Sequence, residues 1–214
     1  MTQQEVSSTA VGSSSDILMR LRTESRAEHE AIERELDLVG PGLDRAAYIA
    51  RLAQLYGFYA PLEDRLAARG AFAATFLGPE SRPQRKTPLL IADLSVLGAP
   101  APAQLPLCTE LPELAGAAEV LGCLYVLEGA SLGGQVISRH LRKTLGIGPD
   151  SGGRFFQGYG AETGAHWRAF SAALVTFAQQ HGPGQQDCMV RSAIATFRAM
   201  RAFCHRPLSA ADPC

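Results

Sequence analysis

The chain has 214 residues, which is long enough for one well-buried core and short enough that one domain is favoured over two. Apolar residues make up 46% of it and charged residues 19%, a composition that argues against both a disordered chain and a membrane-embedded one. The 20 basic and 21 acidic residues give a formal net charge of -1, so no global attraction to nucleic acid or anionic lipid is expected.

The ends of the chain and its cysteines favour a soluble cytoplasmic protein. The N-terminal segment lacks the basic stretch and apolar run of a secretory signal, and the C-terminal segment lacks the apolar residues of a membrane anchor. We therefore expect residues 1–14 and 208–214 to be flexible tails on either side of one helical domain over residues 15–207. An odd number of cysteines without CxxC spacing argues against a disulfide framework or a zinc knuckle: Cys108, Cys123, Cys188, Cys204 and Cys214.

The first predicted helix runs from Asp16 to about Leu38 and is amphipathic. Ser25 and His29 lie in the middle of its apolar stripe, and Gly40 followed by Pro41 ends the pattern. The apolar members of the stripe are Leu18, Leu21, Ile32 and Leu36.

Further helical patterns follow along the chain, separated by a polar loop over residues 78–87 and by a linker rich in proline and alanine. No segment alternates convincingly with the period of a strand. The sequence therefore predicts an all-α fold of roughly seven to eight helices packed around one core. The patterns run from about Asp44 to Ala68, Thr87 to Leu97, Glu113 to Leu145, Thr163 to His181 and Gln185 to His205.

The longest of these patterns carries the glycines Gly129, Gly133 and Gly134 in its interior. Three interior glycines cost a helix roughly 3 kcal/mol relative to alanine, so we expect the helix to bend or break there. One explanation is that the bare backbone lies against a flat ligand. An equally good one is close helix–helix packing through the GxxxG spacing of Gly129 and Gly133.

His29 is the first candidate for a ligand to a metal, although a lone histidine on an apolar stripe is more often a packed core residue. Glu33 lies one turn further on the same face, where its carboxylate could take the Nδ1 proton and leave Nε2 for an iron; the alternative is a surface ion pair. Arg22 precedes His29 by seven residues, about 10 Å along a helix at 1.5 Å per residue, which suits a haem propionate or a solvated arginine equally.

Two separated motifs carry a resemblance to a known family. LRTESRAEHEAIE, followed about a hundred residues later by LYVLEGASLGGQVI, resembles the haem oxygenases, and the likeness extends over most of the chain. The later segment FFQGYG…HWRAF is similar to bacterial members often paired with bacteriophytochromes.

The resemblance implies a single-domain helical bundle that holds haem between a proximal helix and a kinked distal helix. It implies oxidative cleavage of haem to biliverdin with release of iron and carbon monoxide, using dioxygen and electrons from a ferredoxin or a flavoprotein reductase, with a bacteriophytochrome as possible biliverdin acceptor. His29 would be the iron ligand and Glu33 its companion. The other implied residues are Gly129, Gly133 and Gly134 on the distal helix, with Arg22 and Arg168 as contacts of the haem propionates. We also expect Ser131 to belong to the catalytic site and Tyr125 to contact haem.

Position 130 departs from the family pattern. Many members carry an aspartate after the first distal glycine that organises a water network, and this chain has Ala130. Ser131, the backbone carbonyls near Gly129 and ordered water are candidate replacements, because the chemistry needs a hydrogen bond to the oxygen bound at the iron. The departure also leaves open a haem carrier or sensor without turnover. A di-iron oxidase is disfavoured, since no set of inward Glu and His ligands repeats across the helices.

Overall fold

A computed structural model describes residues 16–70 and 75–205, and these residues form α-helices and short 3₁₀ turns without a β-strand. The predicted tails, residues 1–14 and 208–214, lie outside the described residues. The α-helices are α1 Asp16–Glu24, α2 Arg26–Leu36, α3 Arg45–Ala68, α4 Thr87–Leu97, α5 Ala117–Leu145, α6 Arg154–Gln157, α7 Thr163–Gln180 and α8 Pro183–Cys204. Buried side chains from all of them form one hydrophobic core, as the all-α prediction required.

The first predicted helix is divided at Ser25 into α1 and α2. The Ser25 hydroxyl donates to the Leu21 carbonyl oxygen at 2.6 Å, competing for the acceptor that the helical backbone uses, and such back-bonding bends helices. The apolar stripe is nevertheless continuous, because Leu21, Ile32 and Leu36 are all buried. The bend therefore changes the direction of α2 without moving its inner face away from the core.

Two glutamates of α2 form three ion pairs with residues at the end of α8 and just beyond it. The Glu28 carboxylate accepts from Arg198 Nε at 2.7 Å and lies 3.4 Å from Arg201 NH2. Glu35 contacts His205 Nδ1 at 3.0 Å, one residue beyond the end of α8. Since His29 lies between these two glutamates in sequence, the contacts with α8 set where its side chain points.

Helix α3 begins at a cap and tolerates an interior proline. The Asp44 carboxylate accepts from Ala47 N at 2.7 Å, a standard N-cap bond. Pro61 has no N–H to donate to the carbonyl of Gly57 one turn earlier, and Cys108 N donates to that carbonyl instead at 2.8 Å. A Cβ at position 57 would strike the Pro106 carbonyl, so this glycine lets the segment before α5 lie directly on α3.

Helix α5 continues unbroken through its glycines, so of the two expected outcomes, a bend or a break, the break is wrong. It packs against α8 where Gly122 meets the Met189 carbonyl, a contact too close for any Cβ. By length and composition α5 could cross a membrane, but 56% of its most apolar window is buried inside the bundle, as in the core helix of a globular protein.

The segment around residues 154–157, which lies between two of the predicted helical patterns, forms the one-turn helix α6. Its first N–H groups are hydrogen-bonded by a residue from another helix. The buried Asp93 carboxylate on α4 accepts from Arg154 N at 2.9 Å and from Phe155 N at 2.8 Å. Burial raises the pKa of Asp93, and these two bonds and the Arg154 charge offset part of the rise. Phe155 and Phe156 are thereby held at a fixed place in the core.

Candidate functional site

A cavity of about 700 Å³ lies within the bundle and is lined by residues of α1, α2, α3, α5, α6, α7 and α8. Its walls are mainly apolar and aromatic, with Phe155, Phe156, Trp167 and Phe197 among them. A volume of this size is in the range of pockets that hold small organic ligands and cofactors. The predicted site residues that line it are Arg22, His29, Glu33, Tyr125, Gly129, Ser131 and Gly133.

His29 lies at the edge of the cavity with an imidazole that is 53% exposed. The ring packs on Phe197 of α8, with 5.3 Å between the ring centres. Glu33 Oε1 lies 3.4 Å from His29 Nε2, so the carboxylate faces the ring nitrogen that the sequence assigned to an iron, and not Nδ1. An exposed pair at this distance is weak, so Glu33 offers little resistance to rotation of the ring.

Tyr125 and Arg22 line neighbouring parts of the cavity wall. Burial raises the pKa of the Tyr125 hydroxyl, and the positive charge of Arg22 partly offsets the rise. The Tyr125 ring lies 5.7 Å from the Trp167 ring, centre to centre. An aromatic wall with one guanidinium beside it can bind a flat, largely apolar ligand that carries an acidic group.

Arg168 and Gly134 are the two predicted residues outside the cavity lining. Arg168 is exposed on α7, and its guanidinium lies near Gly164 of the same helix. Gly134 is buried against α6, where a Cβ would come within 2.6 Å of the Phe156 carbonyl oxygen. Its lack of a side chain is therefore explained by packing between helices.

Gly129 and Gly133 have a different reason to lack side chains. A Cβ at Gly133 would meet nothing within 4 Å, and one at Gly129 would make only ordinary contact with the Trp167 ring at 3.7 Å. Neither glycine packs against the backbone of another helix, so the GxxxG packing explanation is wrong for this pair. Close helix packing occurs instead at Gly122 and Gly134, while Gly129 and Gly133 widen the cavity.

Lys86 is a polar residue of the cavity wall that the sequence did not single out. It precedes α4 and is 3% exposed, although the polar segment around it predicted a solvated loop. Its ammonium group donates to Ser131 Oγ at 2.8 Å and to the Leu127 carbonyl, and it lies 3.4 Å from Glu128 Oε1. The one sequence signal was its rarity, since the chain has two lysines, Lys86 and Lys143.

Glu128 is the anion at the centre of this buried network. His166 Nε2 and the Tyr159 hydroxyl both lie 2.8 Å from Glu128 Oε2, and the two rings stack on each other with 3.9 Å between centres. Burial opposes ionisation of Glu128, but the His166 and Tyr159 hydrogen bonds and the Lys86 charge together hold its pKa below the usual value. Burial likewise lowers the pKa of Lys86, and Glu128 opposes that change.

Both ring nitrogens of His166 face acceptors, which constrains where protons can lie. Nδ1 is 3.1 Å from the Glu80 carbonyl oxygen and Nε2 is 2.8 Å from the Glu128 carboxylate. Either His166 carries both protons or Glu128 carries one, because each contact needs a hydrogen between its atoms. The His166–Glu128 pair therefore holds one hydrogen more than a neutral imidazole and a carboxylate carry together.

Known proteins are similar to this chain in sequence and in fold. The model of the haem oxygenase family matches residues 15–206. A haem oxygenase of Xanthomonas campestris pv. campestris is 33% identical over 176 residues, which cover 82% of this chain and 97% of the relative. Among solved structures, a haem oxygenase of Neisseria meningitidis superposes with a TM-score of 0.71 at 22% identity, covering 88% of this chain and 89% of its own. One from Leptospira interrogans superposes with a TM-score of 0.67 at 15% identity, covering 88% and 98%. The match to the family model over nearly the whole described chain, together with the 33% identical relative, shows that the chain belongs to the haem oxygenase family.

Proposed function

We propose that this enzyme binds haem in the cavity and cleaves it oxidatively to biliverdin, with release of iron and carbon monoxide. The observation that carries the proposal is the 700 Å³ aromatic cavity with the His29 imidazole at its edge, in a chain that belongs to this family. Bound haem supplies the iron that activates dioxygen and the porphyrin edge that is oxidised.

The cavity fits haem in its shape and in the chemistry of its walls. Gly129 and Gly133 leave the α5 backbone bare where a flat macrocycle would approach, and a Cβ at position 133 would project into open space. Phe155, Phe156 and Trp167 supply apolar and aromatic surface for the ring. The two glycines and the aromatic side chains thus both support the binding of a planar, apolar ligand.

His29 is the proposed iron ligand. It is the one histidine that lines the cavity among the described residues, and its packing on Phe197 limits the orientations of the ring. Ligation through Nε2 requires the imidazole to turn from Glu33, after which the carboxylate can accept the N–H of the other ring nitrogen. Glu33 would then orient the ring and increase its basicity.

Arg22 is the proposed partner of a haem propionate, because it is the arginine that lines the cavity in the described part of the chain. Arg168, proposed for the same role from the sequence, would have to swing from the α7 surface to take part. A guanidinium binds a carboxylate through two parallel hydrogen bonds, so one correctly placed arginine can fix the orientation of the macrocycle.

Dioxygen and reducing equivalents from an external donor complete the proposed reaction, because the side chains of the cavity cannot supply the electrons. A ferredoxin or a flavoprotein reductase is the proposed donor, a bacteriophytochrome the proposed acceptor of biliverdin, and the cytoplasm the proposed location. Position 130 is an alanine where an acidic residue would assist turnover, so the competing function is that of a haem carrier without turnover.

One experiment separates enzyme from carrier. The purified chain is titrated with haemin to form a Soret band, and a reductant is then added under dioxygen. We expect the Soret band to decay while the broad red absorption of biliverdin grows. A stable Soret band under these conditions would assign the protein as a carrier, and a haemin spectrum that the protein leaves unchanged would refute haem binding.

A further inference from the structure

The cavity wall contains a lysine whose ammonium group contacts one short stretch of α5. The Lys86 ammonium has three N–H donors, and three acceptors surround it: the Leu127 carbonyl, the Glu128 carboxylate and Ser131 Oγ. Leu127 and Ser131 are one helical turn apart, next to Gly129 and Ala130. Lys86 therefore contacts residues on both sides of Ala130, the position where many family members carry an aspartate.

These contacts decide what the Ser131 hydroxyl can do. A serine inside a helix usually donates to the carbonyl four residues earlier, which here belongs to Leu127. That carbonyl already accepts from Lys86, and Ser131 Oγ itself accepts from the same ammonium group at 2.8 Å. The hydroxyl proton of Ser131 is thus left to be donated elsewhere, and Ser131 lines the cavity.

The anchoring of Lys86 explains why it can hold this position. Glu128 has a side chain that is 1% exposed and is shared by His166 and Tyr159, which come from α7 and the segment before it. The backbone N–H of Lys86 also donates to Glu63 Oε1 of α3 at 2.6 Å. Both ends of the residue are fixed, so the ammonium group cannot move away from α5 without breaking buried bonds.

We propose that Lys86 is a positioning residue that turns the Ser131 hydroxyl into a hydrogen-bond donor inside the cavity, replacing the acidic group absent at Ala130. The inference rests on the proposed function, because the acceptor it serves is a ligand bound at the haem iron. Ser131 makes the contact, and Lys86 acts through it by occupying the acceptor that Ser131 would otherwise use.

Fluoride binding to the ferric haem-loaded protein tests the proposal without turnover. Fluoride on iron is an anion that accepts hydrogen bonds, whereas carbon monoxide on the ferrous form accepts them weakly. Ser131→Ala should weaken fluoride binding roughly ten- to a hundredfold, the loss of one hydrogen bond to a charged acceptor, and leave carbon monoxide affinity within about twofold. A purely structural role for Ser131 would change both affinities or neither.

The role of Lys86 is tested by a double-mutant cycle. In Lys86→Met the Leu127 carbonyl is free, so Ser131 can donate to it and the donor in the cavity is lost. Lys86→Met should therefore weaken fluoride binding about as much as Ser131→Ala, and the double variant should be little worse than either single variant. Lys143→Met is the matched control, because Lys143 is an exposed lysine on α5, the helix that carries Ser131. This variant should bind fluoride like the wild type.

Each result supports or overturns a definite part of the inference. Unchanged fluoride affinity in Ser131→Ala would refute Ser131 as the donor, and that variant removes only a hydroxyl from a helix, so it decides this point even if Lys86→Met fails to fold. Effects of Lys86→Met and Ser131→Ala that add in the double variant would refute action through Ser131. A haemin spectrum that the wild type leaves unchanged would refute the proposed function instead.

Discussion

Glu33 follows His29 by four residues on α2, which places the two side chains on one face of the helix. His29 lies at the edge of the cavity, where its imidazole is also exposed to solvent. A neutral imidazole is a good axial ligand for haem iron, and no other histidine lines the cavity among the described residues. Ligation of the haem iron by the protein therefore depends on the His29 imidazole.

Replacing His29 with alanine should remove the histidine-ligated spectrum of the haem complex, because the iron loses its protein ligand. Absorbance and electron paramagnetic resonance of the ferric complex measure this, and added imidazole should restore the spectrum by binding in the vacated space. Glu33→Ala is the control, since it should retain a histidine-ligated spectrum. A His29→Ala protein with the wild-type spectrum would overturn the ligand assignment.

Arg22 and Arg168 form a matched pair for the propionate contact, because only the first lines the cavity. Arg22→Ala should weaken haem affinity about tenfold or more and alter the ratio of bilin isomers, since a charge-assisted hydrogen bond that orients the macrocycle is lost. Arg168→Ala should leave both nearly unchanged. Fluorescence quenching by haem and chromatography of the products measure the two effects, and equal losses in both variants would mean that Arg168 reaches the haem as well.

At the scale of elements, the glycines of α5 separate into packing and cavity positions, and the neighbours Gly133 and Gly134 test the division. Gly133→Ala should stabilise the haem-free protein by roughly 0.5–1 kcal/mol, because the new Cβ meets nothing and helix propensity improves. Gly134→Ala should destabilise it by roughly 1–3 kcal/mol, because the Cβ meets the Phe156 carbonyl oxygen. Urea denaturation of the haem-free variants measures both.

A larger side chain at position 133 should also affect haem binding. Gly133→Val adds a branched side chain on the cavity side of α5 and should lower haem affinity without lowering the melting temperature of the haem-free protein by much. Loss of melting temperature with undiminished haem affinity in Gly133→Val would show that position 133 packs rather than faces the ligand.

Periodicity predicted the long helices, since α3, α4, α7 and α8 lie within a few residues of their expected bounds. It failed where a distant group decides the local structure. Helix α6 depends on the Asp93 carboxylate, which lies about sixty positions earlier in the chain, and the division at Ser25 depends on a hydroxyl that could equally have pointed elsewhere. No local pattern reports either choice.

The site shows the same limit. His29, Glu33, Arg22 and the cavity glycines were found because each belongs to a short motif on one helix. Lys86 was missed because its burial results from Ser131, Glu128 and Glu63 on two other helices, and a lysine in a polar segment is ordinarily solvated. The structural reason for Gly134 likewise lies in α6.

At the scale of the whole molecule, Glu128 connects the segment before α4 with α5, α7 and the residues between α6 and α7 through Lys86, His166 and Tyr159. Removing one partner of a buried charge network leaves the others without compensation, which is more damaging than the net contribution of the network suggests. The stability of the bundle at neutral pH therefore depends on the ionisation of the Glu128 carboxyl group.

Glu128→Gln should destabilise the haem-free protein at pH 7 by roughly 3–5 kcal/mol, because Lys86 and His166 lose their anion. The lowered pKa of Glu128 fixes the sign of the pH dependence. Its stabilisation is present above the ordinary value of 4.5 and is lost as the pH falls through the lowered one. The difference between wild type and variant should therefore narrow in acid, where Glu128 of the wild type is neutral as well.

Urea denaturation followed by circular dichroism, in steps from pH 7 into the acid range, measures that difference. Asp150→Asn is the control, because the Asp150 side chain is 98% exposed and its pairing with Arg154 at 3.6 Å should add no measurable stability at any pH. A gap between wild type and Glu128→Gln that stays constant as the pH falls would mean that the carboxylate charge contributes nothing. The network would then act only through hydrogen bonds that glutamine can also form.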